Sequence, residues 1–168
     1  MLFRSAYVGL GSNLDEPAEQ VRRAFAALDQ IPETRLVRAS SLYGSRPMGP
    51  VSQPDFVNAV AGLLTRLEAA DLFAHLRALE QQLGRAPPRE RWGPRRIDLD
   101  LLLFGQLRID TPALQLPHPG IVDRNFVLYP LAEVAPELPV PGCGCIAELL
   151  ARVNPEGLWR LDSDTAHP

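Results

Sequence analysis

Residues 89–106 read RERWGPRRIDLDLLLFGQ. Four arginines and a tryptophan run into an apolar stretch that carries two aspartates, Asp98 and Asp100, one residue apart. The run from Ile97 to Phe104 has the length and composition of a β-strand, and side chains on a strand alternate between its two faces. Asp98 and Asp100 therefore point one way and Ile97, Leu99 and Leu101 the other. Their Cα atoms are roughly 7 Å apart, and two carboxylates that close in a partly buried site repel one another and resist ionisation. A divalent cation shared by the pair resolves that conflict.

Working outward from this strand gives the rest of the architecture. Ala6–Leu10 is a short apolar run ending in Gly11-Ser12-Asn13, a strand followed by a turn. Val21, Ala24, Phe25, Leu28 and Ile31 recur at helical spacing, so the helix is expected over Pro17–Ile31 with proline in its first turn. Arg35–Tyr43 and Phe56–Thr65 read as strands, separated by the Gly- and Pro-rich segment GSRPMGPVSQPD, a candidate binding loop. Thr65 and Glu68 form a capping-box pattern ahead of Leu72, Leu76, Leu79 and Leu83, and Gly84 stops that second helix. The order strand, helix, strand, strand, helix, strand predicts an α+β domain of the ferredoxin-like βαββαβ kind, an antiparallel sheet with helices on one face. Beyond Phe104 the expectations are a turn at LPHPG, an apolar run over Phe126–Leu131 and a short helix over Ile146–Arg152.

With 168 residues, 46% apolar and 22% charged, one domain spanning 1–168 is expected. The net charge of -3 argues against a general nucleic-acid or anionic-membrane binder. All seventeen basic residues are arginine; a P-loop, which needs a lysine, is excluded, and every cationic contact is a planar fork suited to phosphate. The N-terminal MLFRSAYVGLGS lacks the basic and long apolar parts of a signal peptide, no window is long and apolar enough to span a membrane, and a cytoplasmic location is expected. Cys143 and Cys145 are too few for a zinc site and are read as reduced bystanders.

Carboxylate oxygens suit Mg²⁺, which is held by a few carboxylates together with waters and substrate phosphates. Arg85, Arg89, Arg91, Arg95 and Arg96 crowd the loop leading into the strand and supply cations for a transferring phosphoryl group. The competing explanation is that Asp98 and Asp100 pair with Arg95 and Arg96 at a strand end, and spacing alone does not separate the two. Trp92 serves either as part of a lid that excludes water or as an anchor for its loop. Phe56 and Asn58 share a strand face, where a ring for stacking and an amide for edge-on hydrogen bonds suit a flat heterocycle; Phe56 as an ordinary core residue is the alternative. His118, between two prolines, can donate to phosphate or be a surface residue of the turn.

Taken in order, VGLGSN, RPMGPVSQPDFVNAV, LEQQLGR, RWGPRRIDLDLLLFG and LPHPGIVDRNFVLYPLAEVAPEL resemble the 6-hydroxymethyl-7,8-dihydropterin pyrophosphokinases over about Ala6 to Leu138. The resemblance implies transfer of pyrophosphate from ATP to the hydroxymethyl group of the reduced pterin, with release of AMP, in folate biosynthesis. It implies two Mg²⁺ ions on Asp98 and Asp100, and catalytic roles for Arg85 and Arg95 beside them. By the same resemblance Phe56 and Phe126 flank the pterin ring, Asn58 bonds its edge, and Gly9, Ser45, Pro47 and Met48 complete that pocket. Arg77, Glu80, Arg85, Trp92, Arg95, Leu101, His118 and Arg124 fall on the ATP side, and the working form is a monomer.

Some positions depart from the family pattern. Ser45 stands where threonine is frequent, Arg46 where a small residue or proline is, Arg77 where glutamine is common, and Pro87 where a loop arginine is, with Arg89 as its substitute. A non-catalytic nucleotide- or pterin-binding module on the same fold is the alternative in another class, against which the retention of both aspartates beside Arg95 counts. An RNA-binding domain of this topology would place aromatic rings where this chain places aspartates.

Overall fold

The computed structural model describes residues 2–84 and 96–161. In chain order the elements are β1 (Arg4–Ser12), α1 (Pro17–Leu28), β2 (Thr34–Ala39), β3 (Tyr43–Ser45), β4 (Phe56–Thr65), α2 (Ala69–Gln82) and β5 (Asp98–Phe104). After them come the short strands β6 (Ile109–Asp110) and β7 (Gln115–Leu116), then α3 (Asn125–Val134), β8 (Pro139–Val140), β9 (Gly144–Cys145), α4 (Ile146–Leu150) and β10 (Leu158–Arg160). The main sheet runs β10-β3-β4-β1-β5 with β2 also on β4, and its pairings are antiparallel. With β2 and β3 counted as one interrupted strand, the order is the split βαβ arrangement of a ferredoxin-like α+β domain.

Alternation along the strands sorts the core into two. Ala6, Val8 and Leu10 of β1, Val57, Ala59, Ala61 and Leu63 of β4, and Leu99 and Leu101 of β5 face Val21, Ala24 and Leu28 of α1 and Leu72 and Leu76 of α2. Each such leucine withdrawn fully from water contributes about 1.5–3 kcal/mol. Val60, Leu102 and Leu103 turn instead to Val127, Leu128 and Leu131 of α3 and Ile146 and Leu149 of α4. The sheet is thus covered on both faces, not on one as the strand and helix order alone implies. The second face is only partly covered, because α3 packs mainly on β4. Beside α3, the backbone of β1 and the side chains of β5 border a cavity.

Three local expectations are corrected. The run Arg35–Tyr43 is two strands, because Ser40 leaves the ladder: its Oγ accepts the Val60 N–H at 2.8 Å while its N–H bonds the Val60 carbonyl at 2.9 Å. The first helix ends at Leu28 rather than Ile31, as Gln30 and Ile31 tighten onto the carbonyls of Ala27 and Leu28 and the Asp29 carboxylate accepts the Leu36 N–H at 2.8 Å. Thr65 is no helix cap: it closes β4, its hydroxyl 2.8 Å from that of Thr34, and Glu68 itself precedes α2 without a side-chain cap. The apolar run Phe126–Leu131 is helical, within α3, and the C-terminal stretch contributes β10, which pairs with β3.

The register of β1 on β5 slips between Tyr7 and Val8, which face Leu103 and Leu101. Leu102 is the extra residue of a bulge, and the bulge turns both Leu102 and Leu103 to the second core before Phe104 returns to the first.

Candidate active site

The cavity on the second face has a volume of about 260 Å³. Its floor is the β1 backbone at Gly9 and Gly11, where absent side chains leave room above the sheet; a Cβ on Gly11 would stand 3.3 Å from the Asn58 Oδ1. One wall is Phe56 and Asn58 of β4 with Ser45 of β3, and across from them α3 contributes Phe126 and Val127. Arg46, Met48 and Gln53 form a rim from the 46–55 loop, and Asp98, Asp100, Leu102, His118 and Arg124 form the remaining side.

Each wall is held from behind. Asn58 is 5% exposed, and its Nδ2 donates to the Ser45 Oγ at 2.6 Å, which joins β3 to β4 and fixes the amide's orientation. Asn13, 2% exposed at the end of β1, donates to the Gln53 Oε1 at 2.8 Å and the Pro54 carbonyl at 2.9 Å, so the rim loop is tied to the turn after β1. The Gly120 N–H bonds the His118 Nδ1 at 3.0 Å, which leaves the ring proton of a neutral imidazole on Nε2. Burial lowers the His118 pKa; Asp100 opposes that and Arg124 adds to it, so the ring is neutral at neutral pH. Gly120 also makes space for Arg124, since a Cβ there would lie 2.8 Å from the guanidinium.

Asp98 and Asp100 lie on one face of β5 and both border the cavity, opposite in direction to Leu99 and Leu101. Of the arginines in the competing explanation, Arg96 is engaged elsewhere: its Nε and Nη2 bond the Asp15 Oδ2 at 2.8 and 2.7 Å, and its Nη1 donates to the Gly84 carbonyl at 3.1 Å. The donor set suits a hard cation that shares its ligands with a substrate, because the protein offers carboxylate oxygens and the described residues contain no group of three or more His, Cys, Asp or Glu.

Of the residues singled out from the sequence, the structure brings together Gly9, Ser45, Met48, Phe56, Asn58, Asp98, Asp100, His118, Arg124 and Phe126. Pro47 is half-buried beside the rim but does not line the cavity. Leu101 is turned into the first core at 2% exposure, so its side chain is not on the nucleotide side. Arg77 and Glu80 also stand outside the cavity, on α2 behind β5. Arg85, Trp92 and Arg95, with Pro87, Arg89 and Arg91, lie outside the described residues. The residues that sequence reading missed are Gly11, Gln53 and the Asn13 that holds Gln53. Their signal was weak, a glycine spaced two from Gly9 and two amides in turns.

The family profile described as 7,8-dihydro-6-hydroxymethylpterin-pyrophosphokinase matches residues 7–136. The chain belongs to this family. A 2-amino-4-hydroxy-6-hydroxymethyldihydropteridine pyrophosphokinase of Pseudomonas aeruginosa is 50% identical over 95% of this chain and 98% of that protein. One of the same name from Haemophilus influenzae is 44% identical over 94% and 98%, and one from Bacillus subtilis 40% over 79% of each. Among solved structures, wild-type Plasmodium falciparum HPPK-DHPS with pteroate superposes with a TM-score of 0.70 at 13% identity, over 89% of this chain and 42% of that one, a likeness of fold. Membership in the pyrophosphokinase family carries the reaction class with it: pyrophosphoryl transfer to hydroxymethyldihydropterin, in folate biosynthesis.

Proposed function

We propose that the donor is ATP, that AMP is the second product, and that Mg²⁺ ions held by Asp98 and Asp100 are required. The observation that carries this reading is the meeting, in one cavity, of a heterocycle-binding half, Phe56, Asn58 and Phe126, with an acidic half, Asp98 and Asp100, flanked by His118 and Arg124. A cavity of about 260 Å³ accepts one flat bicyclic ring and little more, so the nucleotide extends from its acidic side. The hydroxymethyl oxygen bonds to the β-phosphorus as the bond from that phosphorus to the bridging oxygen breaks, AMP leaves with that oxygen, and the hydroxyl proton is released.

The roles follow from the geometry. Asn58, its Nδ2 engaged with Ser45, presents its carbonyl oxygen as an acceptor for the donor edge of the pterin, and Phe56 and Phe126 supply apolar surface for its ring faces. His118 donates from Nε2 as a neutral group, and Arg124 donates as a cation, to phosphate oxygens on which charge develops. Asp98 and Asp100 orient the triphosphate by holding Mg²⁺, which when bound offsets charge on the phosphates. Arg85 and Arg95 as catalytic arginines, Trp92 on the ATP side and Pro47 at the pterin belong to the proposal on the resemblance alone. A monomer and a cytoplasmic location belong to the proposal on the resemblance; no described helix is long and apolar enough to cross a membrane.

The test is to incubate the protein with ATP, Mg²⁺ and 6-hydroxymethyl-7,8-dihydropterin and to follow AMP. AMP in proportion to pterin consumed, abolished by chelation, is the expected result. Folded protein that binds pterin and ATP but forms no AMP would show a binding module instead.

A further inference from the structure

We propose that residues 154–161 form a strap across the heterocycle half of the cavity, and that Asn125, bound to the strap, is a positioning residue for Phe126. Phe56, Asn58 and Ser45 stand on paired strands, whereas Phe126 is the second residue of a helix, α3. A flat ring bound between them needs a gap of fixed width, and a side chain that must be ordered on binding costs affinity. The far end of α3 is tied to the strands directly, since the Glu133 carboxylate accepts the Ser41 N–H at 2.7 Å and the Tyr43 hydroxyl at 2.8 Å. At the near end, beside Phe126, a tie runs through the strap.

On the strand side, Leu158, Trp159 and Arg160 pair with Ser45, Gly44 and Tyr43, and the Gly157 carbonyl accepts the N–H of the rim residue Arg46 at 3.0 Å. Gly44 lets the two strands meet this closely, because the Trp159 ring occupies the place a Cβ would take there. On the helix side, the Asn125 Nδ2 uses both of its hydrogens: it donates to the Asn154 carbonyl and to the Glu156 carbonyl, each at 2.9 Å. The Asn154 Oδ1 accepts the Glu156 N–H at 2.9 Å, which sets those two carbonyls side by side. Asn154, Pro155 and Glu156 are exposed, so water would satisfy their carbonyls nearly as well and the bonds contribute little stability. What they add is location. One amide, a residue before Phe126, is joined to a turn whose next carbonyl is bonded a residue after Ser45. The inference rests on the reading of Phe56, Asn58 and Phe126 as the pterin site.

The test uses Asn125→Ala, which removes both donors and leaves a residue that suits a helix, with Asn125→Gln as the conservative rescue. Each change is made in the parent and in Phe126→Ala. Pterin is titrated by fluorescence into protein holding Mg²⁺ and a non-hydrolysable ATP analogue, and the KM for ATP is taken from AMP formation. In the parent, Asn125→Ala should weaken pterin binding about three- to tenfold, the effect of one side chain that must be ordered on binding. The melting temperature and the KM for ATP should stay near the parent values, and Asn125→Gln should recover part of the loss. In Phe126→Ala the same change should cost less than about twofold more, because a residue that acts through Phe126 has nothing left to position. Losses that add in the double variant would overturn the proposal. So would a raised KM for ATP, or a lower melting temperature, with pterin affinity unchanged. Should Asn125→Ala fail to fold, Asn154→Ala, at an exposed position that orders the same turn, gives the same comparison. A Phe126→Ala protein that binds pterin like the parent would instead remove the underlying reading of the site.

Discussion

Replacing Asp100 with asparagine keeps the shape of the side chain and removes its charge. Asp98 and Asp100 share a face of β5, with backbones about 7 Å apart. At that distance two unit charges repel by about 0.6 kcal/mol in a water-like medium and about 2.4 kcal/mol at an effective dielectric constant of about 20. Both residues are half-buried, so a value near the lower end, about 1 kcal/mol, is expected, which in a chain of this size moves Tm by about 2–4 °C. No ion pair with His118 is lost in compensation, because burial keeps that ring neutral near pH 7. In metal-free buffer Asp100→Asn should thus melt about 2–4 °C above the parent. With Mg²⁺ and a non-hydrolysable ATP analogue the order should reverse, since ligand binding stabilises the parent by about 1.4 kcal/mol per tenfold excess over Kd and the variant by far less. AMP formation should be lost. Thermal melts with and without Mg²⁺, and an AMP assay, measure all three. A metal-free variant that melts below the parent would mean that the Asp100 carboxylate is a structural ion-pair partner, and the repulsion argument would be wrong.

Other outcomes follow from the same geometry. Asn58→Ala strips the Ser45 hydroxyl of its buried partner, a loss of about 1–3 kcal/mol in urea unfolding, and should weaken pterin binding at least tenfold by calorimetric titration; unchanged affinity would remove Asn58 from the pterin site. Gly120→Ala, with its Cβ 2.8 Å from the Arg124 guanidinium, should displace that flexible side chain at little cost in Tm while raising the KM for ATP, and a normal KM would argue against Arg124 as a phosphate contact. Burial and the hydrogen bond to Glu133 push the Tyr43 pKa up from 10.0 to about 12. Folding favours the neutral phenol, so this contribution is whole below pH 10 and is lost as pH rises toward about 12; Tyr43→Phe should flatten that decline in urea midpoints, and parallel curves for the two proteins would refute it.

Much of the fold and part of the site were legible in the order of residues, for a physical reason. Period-two alternation is a local property, so Asp98 and Asp100 on one face and Leu99 on the other needed no knowledge of the partner strands. β4 falls on Phe56–Thr65 as its pattern indicated, and Phe56 and Asn58 share the cavity wall that alternation assigned to them. The stripe of Leu72 and Leu76 placed α2 against the sheet, and the same stripe extended to Glu80 shows that this carboxylate faces inward. What the stripe does not say is which groups the carboxylate meets, and one of them is the Leu99 N–H at 2.8 Å.

What only the tertiary structure decided are the contacts between segments far apart in the chain. Arg96 is adjacent to the aspartate strand, yet its charge goes to Asp15, 81 residues away, because the turn after β1 comes beside the end of α2. Ser40 ends a strand that composition would continue, since a hydroxyl bond to Val60 competes with the ladder. The bulge at Leu102 depends on the register of β1 against β5, and the coverage of the second face depends on where α3 and α4 return. The side-chain pattern of each element by itself set which residues face in and which face out. The cavity, the neutral His118 and the bonds from α2 to the Leu99 peptide groups came from elements brought together by burial of apolar surface, which is indifferent to distance along the chain.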